Sequence, residues 1–220
     1  MRGGRAKLVA LTLIVLLGGC SGKGSPAPTP VPVDGADGGG RLVLWARAQL
    51  EVQATLLVDA YNATHTNQVE LTLLPDLPAR ADAAATAGAL PDLLAGSVAD
   101  VPGWTGRGLY QDLTARVARL PFAAQLNQPA VQAGTKGGAQ HALPFVLTTS
   151  DGEQQSDGQQ QSDDIGISRD AKHADQAWNF IAWVLSEEAQ VQVLARNGDQ
   201  VARADLQHNE FATPSKGASS

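Results

Sequence analysis

RLVLWARAQLEVQATLLVDAYNATHTNQVELTLL, residues 41–74, decides the fold of this 220-residue chain. Its opening run, Arg41–Trp45, is short and apolar, as in a strand buried on both faces of a sheet. Over Gln49–Thr64 the residues Leu50, Ala54, Leu57, Val58 and Tyr61 follow the i, i+4, i+7 spacing of one helix face. Gln68–Leu74 then alternates Val69, Leu71 and Leu73 with polar neighbours, the pattern of a second strand. Strand, helix and strand in this order predict a βαβ unit, and therefore a mainly parallel sheet with helices on its faces.

The same alternation continues toward the C-terminus. Pro78–Ala87 is alanine-rich with Pro78 in the first turn, which predicts a helix, and Pro91–Ala95 predicts a third strand. Val98–Arg119 is irregular, broken by Pro102, Gly103, Gly106 and Gly108. A helix is expected over Phe122–Ala133 despite Pro129, and Gln140–Leu147 reads as extended. Asp164–Ser168 is a last short strand, followed by a helix over Asp175–Leu185 that sets Trp178, Ile181, Val184 and Leu185 on one face. Ser186, with Glu187 and Glu188 on the positive end of the helix dipole, caps a final helix that ends at Gly198 in a left-handed C-cap.

Between these segments lies SDGEQQSDGQQQSDD, Ser150–Asp164, expected to be a disordered linker. The segment beyond it, 165–212, is too short to bury a core by itself. Either it packs onto 41–149 in one domain, or each segment awaits a partner. Residues 213–220 read as a disordered tail.

The N-terminus has an export signature. Met1–Gly19 carries Arg2, Arg5 and Lys7, then the apolar run Leu8–Leu17, then Gly18 and Gly19, the three parts of a secretory signal. The only cysteine, Cys20, follows directly, as in a bacterial lipobox whose thiol takes a lipid. Residues 20–40 form a tether, with Pro26, Pro28, Pro30 and Pro32 favouring extended backbone and Gly38–Gly40 adding a joint. The expected location is outside the cell, held to the outer face of the cell membrane by the lipidated cysteine. Without Met1–Gly19 the chain keeps 13 Lys+Arg against 22 Asp+Glu, a net charge of −9. That balance argues against a nucleic-acid partner and against a polybasic membrane patch.

Catalytic and metal chemistry is not suggested. His65, His141, His173 and His208 are scattered, with no second His or Cys at ligand spacing. Gly106-Arg107-Gly108 lacks the third glycine and preceding strand of a dinucleotide loop, and Ser150-Asp151 has no nucleophile-elbow context. No cofactor is expected, and the chain does not read as an enzyme. In an open α/β sheet, ligands bind beyond the carboxyl ends of the strands. Residues just after strands one and three, 46–49 and 96–104, would then line a wall on which a sugar could stack against Trp45 or Trp104. Arg47, Gln49 and Asp100 would bond to it. The alternative for both tryptophans is a place in the core or at its rim, and Trp178 and Trp183 read as packing residues.

Three stretches carry a family resemblance. They are Leu42–Trp45 with Asp59-Ala60-Tyr61-Asn62, Leu90-Pro91-Asp92-Leu93-Leu94 through Gly108–Thr114, and Ala177-Trp178-Asn179-Phe180-Ile181 through Leu185–Gln190. Together they resemble the extracellular sugar-binding proteins of bacterial ABC importers, the maltose-binding-like group. The resemblance implies a first periplasmic-binding-protein-like lobe closed by C-terminal helices, with a small-molecule carbohydrate as ligand and ABC permease subunits as partners. It adds Ser97 and Phe145 to the expected wall. Family members hold sugar between two lobes, whereas here Ser150–Asp164 stands where the chain would cross into the second. The expectation is a lobe whose partner lobe is missing. Its single wall would lower a micromolar affinity, about −8 kcal/mol, toward millimolar, and its uncovered face would leave an apolar patch. The competing reading is a lipid-anchored single-lobe interaction protein, or a remnant without a transport role.

Overall fold

The structure, a computed structural model, describes residues 37–148 and 161–212. The signal segment, Cys20, most of the tether, residues 149–160 and the tail 213–220 lie outside the described residues.

The βαβ unit forms as its pattern dictates. Strand β1 (Arg41–Arg47) leads through a 3₁₀ turn at Ala48–Leu50 into helix α1 (Glu51–Thr64) and then strand β2 (Gln68–Leu74). The two strands are parallel, with Leu42 opposite Val69 and Leu44 opposite Leu71. Leu50, Ala54, Leu57, Val58 and Tyr61 are all buried, so the apolar face read from spacing is the packed face. Helix α2 (Leu77–Ala87) has Pro78 in its first turn, and strand β3 (Leu93–Ser97) adds to β1 in parallel. Further along lie helices α3 (Val101–Gly106), α4 (Thr114–Val117) and α5 (Gln128–Ala133), and the two-residue strands β4 (Thr135–Lys136) and β5 (Ala139–Gln140). Strand β6 (Leu143–Thr148), strand β7 (Gln161–Ile167) and helix α6 (Ala174–Val184) complete the set.

The main sheet has the order β2-β1-β3-β7-β6. Strand β7 runs antiparallel to both of its neighbours. Consequently β1, β2, β3 and β6 all point the same way, and the architecture is the expected mainly parallel α/β lobe. One apolar cluster joins α1, α6 and the sheet residues Leu42, Leu44, Leu93, Ala95, Ile165 and Ile167. A second cluster joins α2 and α3 through Leu77, Leu94, Val101, Trp104 and Tyr110. The sheet lies between the two clusters.

Both flanks of the polar run belong to this one sheet. Strand β7 is inserted between β3 and β6, and α6 packs against α1. The Tyr61 hydroxyl donates to Asn67 Oδ1 at 2.9 Å and accepts from Asn179 Nδ2 at 3.0 Å. The Tyr61 ring also meets Phe180 edge-on, with centroids 5.0 Å apart. Residues from distant parts of the chain therefore share one hydrogen-bonded, aromatic core.

Three segments differ from the sequence reading. The last residues of the polar run, Gln161–Asp164, are strand and not linker, because they are the start of β7 and pair with both β3 and β6. The helix expected over Phe122–Ala133 is only a 3₁₀ turn at Ala123–Gln125 and then α5. Asn127 caps α5 by accepting from Ala130 N at 3.1 Å, which puts Pro129 in the first turn, where its missing N–H costs nothing. Helix α6 buries Trp178, Ile181, Val184 and Leu185 as expected, and the burial extends to every residue from Ala177 to Leu185. The segment after Ser186 is π-helical over Glu188–Leu194 and 3₁₀ over Ala195–Asn197 before Gly198 closes it at φ 92°. Ser186 still caps it, its hydroxyl accepting from Ala189 N at 3.3 Å.

Candidate functional site at the carboxyl edge of the sheet

Because four of the five strands share a direction, their carboxyl ends form one edge, and the amino end of β7 lies among them. Arg47 ends β1 there. It reaches past β3 to Asp163 of β7, with Nε to Oδ1 and Nη2 to Oδ2 both at 2.6 Å. This is a bidentate, charge-assisted pair. The Asp163 side chain is 1% exposed and that of Arg47 27%, so the cation faces the solvent and the carboxylate lies beneath it. The Asp163 hydrogen bonds hold the Arg47 guanidinium still further above its ordinary value, burial opposing them.

Beside this pair the turn after β3 is closed on itself. Asp100 N donates to Ser97 O at 2.9 Å, and the Ser97 hydroxyl donates to Asp100 Oδ2 at 2.7 Å. Val98 N donates to Ser162 O at 3.1 Å, extending the ladder between β3 and β7. Trp45 is half-buried and Gln49 is exposed in the 3₁₀ turn. The edge thus offers fixed cationic, carboxylate and hydroxyl groups, while the partly exposed Trp45 of the same strand packs against the second apolar cluster.

Two expected site residues are elsewhere. Trp104, on α3, is 2% exposed, and its ring covers Gly96 so closely that a Cβ there would overlap it. Phe145 is fully buried in the core of the β6 region. Neither ring has a face for a ligand. Bulky rings fill the space over glycine positions in the sheet, and Gly166 under Tyr110 repeats the arrangement. Arg47, Ser97 and Asp100 are at the edge as expected, but each is already hydrogen-bonded within the protein. The expected broad apolar patch is not seen among the described residues, whose exposed large hydrophobic side chains are Val52, Leu56 and Phe211.

The acidic pair Asp163-Asp164 is the feature the sequence reading missed, having placed Asp163 in the linker and Asp164 at the junction of linker and strand. Its signal was present in the alternation of Asp163 with Ile165 and Ile167, which predicts an inward-pointing acid. Asp164 is fully buried on the opposite side of the strand, and its Oδ1 accepts from the Ser162 hydroxyl at 3.3 Å. Its Oδ2 has no partner. Burial pushes the Asp164 carboxyl up to about 8; the Ser162 hydrogen bond opposes this and the charge of Asp163 adds to it. The acid is therefore neutral at pH 7, the form that a dry site tolerates. Tyr110, on the same side, is raised well above its ordinary value chiefly by burial.

Among the described residues, no group of three or more His, Cys, Asp or Glu is arranged to hold a metal ion. Nor is any described helix long and apolar enough to cross a membrane. His65 stacks on Tyr61 with centroids 3.9 Å apart, and a His141 ring nitrogen bonds Gln111 O at 3.1 Å.

No family model matches the sequence, and no curated protein matches it. Solved structures do. The GacH receptor of Streptomyces glaucescens, solved unliganded and with acarbose, is similar at a TM-score of 0.66 and 11% identity. That match covers 79% of this chain and 82% of the other. The sugar-binding protein MalE from Xanthomonas citri is similar at a TM-score of 0.64 and 11% identity, over 79% of this chain and 82% of that one. CpMnBP1 with mannobiose bound is similar at 0.61 and 11%, over 78% and 86%. At such identities the likeness is one of fold.

Proposed function

We propose that the chain is a carbohydrate-binding lipoprotein of an ABC-type importer, exported and anchored through a lipid on Cys20. The observation that carries this reading is the carboxyl edge of the sheet. There Arg47–Asp163 and Ser97–Asp100 present paired donors and acceptors, with Trp45 on the same strand as Arg47, in a fold shared with solved sugar-binding proteins. Sugars are bound by such fixed polar groups next to an aromatic face. No nucleic-acid partner and no enzymatic step is part of the reading. Support for export is the signal pattern of Met1–Gly19, and the ABC permease would be the partner.

Binding is proposed to be weak, because the edge is one wall whose polar groups already satisfy one another. Sites that enclose a small ligand cover about 70–90% of its surface, and a single wall covers far less. Calorimetry with mono- and oligosaccharides tests the function, with dissociation constants near millimolar expected. Absence of heat with every sugar at ten millimolar rejects it. Labelling of the wild-type chain by palmitate, abolished in Cys20→Ala, tests the anchor. If sugars are silent while the lipid is present, the competing reading of a lipid-anchored interaction protein gains. Its structural motive is Val52 and Leu56, one turn apart on α1 and 56% and 36% exposed.

A further inference from the structure

Downstream of the π-helical segment the chain turns at Gly198 and runs back along the free side of β6. Gln200 forms an antiparallel bridge with Leu147, near the carboxyl end of that edge strand. Asp199 Oδ1 accepts from Gln53 Nε2 at 2.8 Å, which ties the turn to the first part of α1, just after the carboxyl end of β1. Asp199 Oδ2 accepts from Asn197 Nδ2 at 2.8 Å. The bridge and the Gln53 bond thus bring this turn to the same edge of the sheet as Arg47.

A cavity of about 370 Å³ opens there, lined among others by Gly198, Asp199, Gln200, Gln207, Asn209 and Phe211. Phe211 is one of the exposed large apolar side chains, at 37%. Asn209 holds its backbone in place, Nδ2 donating to Leu206 O at 2.8 Å and Oδ1 accepting from Phe211 N at 2.8 Å. Among the described residues lining the cavity there is no lysine or arginine, and the one charged side chain is the Asp199 carboxylate, which disfavours an anionic ligand. Its volume falls at the small end of the range for small-molecule sites, about 300–1,000 Å³. Two of the lone-pair positions on Asp199 are used by amide donors, and two remain to accept from a hydroxyl. A partly exposed phenyl ring in a cavity also lined by amide and carboxylate groups is suited to a neutral polyol, whose ring presents C–H groups on its face and hydroxyls around its rim.

We infer that this pocket is a carbohydrate subsite, with Phe211 as the stacking surface and Gln207 and Asp199 bonding the hydroxyls. The inference rests on the carbohydrate reading above and gives it an aromatic contact that Trp104 and Phe145 do not supply.

The test uses the full chain, titrated with glucose, mannose, galactose, maltose, cellobiose and mannobiose by calorimetry and by amide chemical-shift mapping. The expected result is heat with at least one sugar and shifts that include Gly198, Gln207 and Ala212. Phe211→Ala should then weaken that sugar at least tenfold and Gln207→Ala about threefold, with thermal midpoints near that of the wild type. If a sugar binds but its shifts stay around Trp45 and Arg47, and Phe211→Ala binds as tightly as wild type, the pocket is not a subsite and the carbohydrate reading survives. Should no sugar bind the wild type, the reading and the inference fall together. Shift mapping on the wild type locates the bound sugar even if Phe211→Ala does not fold.

Discussion

Arg47 and Asp163 stand 116 positions apart and meet across the end of β3 in two parallel hydrogen bonds of 2.6 Å. The pair joins the first strand to a strand that begins inside a polar, glutamine-rich stretch. It also occupies the guanidinium that would otherwise be the strongest hydroxyl donor on this edge.

The two partners are not equally replaceable. Arg47→Ala leaves an almost fully buried carboxylate without its cation, so it should cost about 3 kcal/mol in urea unfolding. Asp163→Ala leaves a guanidinium that can turn to water, and about 1–2 kcal/mol is expected. The reverse order would show that Asp163 is less buried than described.

Asp164 makes stability fall with rising pH. Its folded-state value of about 8 lies above the unfolded value of 3.8, so the native chain holds one more proton between them. The stabilisation is complete below about pH 4 and drains away up to about pH 8 at no more than about 1.4 kcal/mol per unit, with a plateau above. Asp164→Asn should flatten this slope when urea midpoints are compared at pH 5, 6.5 and 8. An unchanged slope refutes the assignment.

Gly96 is required by the ring above it. Gly96→Ala drives a methyl group into Trp104, and a loss of about 1–3 kcal/mol is expected, with a change in tryptophan emission. A neutral substitution would mean that α3 can lift away from the sheet.

Tyr61 tests whether the two flanks of the polar stretch unfold as one. Tyr61→Phe removes the hydroxyl shared by Asn67 and Asn179 and should cost about 1–3 kcal/mol. Far-UV ellipticity and tryptophan fluorescence should shift together in a single transition. Two separate transitions would contradict the shared core.

The strands and helices of residues 41–97 were legible because periodicity reports burial directly: Leu50, Ala54, Leu57, Val58 and Tyr61 are the buried face of α1. The wall was legible only as a position. Strand order and direction place Arg47, Ser97 and Asp100 at one edge, but spacing does not tell which of them is already paired. Trp104 and Phe145 were misread because an aromatic near a strand end can face either a cleft or the protein interior, and only packing distinguishes the two.

Local pattern by itself determined the α/β class, the parallel βαβ start, and the caps at Ser186 and Gly198. Tertiary structure decided that the strand read from Asp164 onward extends back to Gln161 and lies inside the sheet, between β3 and β6. A polar, acidic run forms such a strand only when distant groups neutralise or protonate its acids. Arg47 does the first for Asp163, and burial does the second for Asp164. The same long-range packing set Phe211, with no local signal, at the mouth of the cavity beside β6. Which distant residues pair or pack together is not written in the local pattern of either one, which is why the class of this fold is readable and its long-range contacts are not.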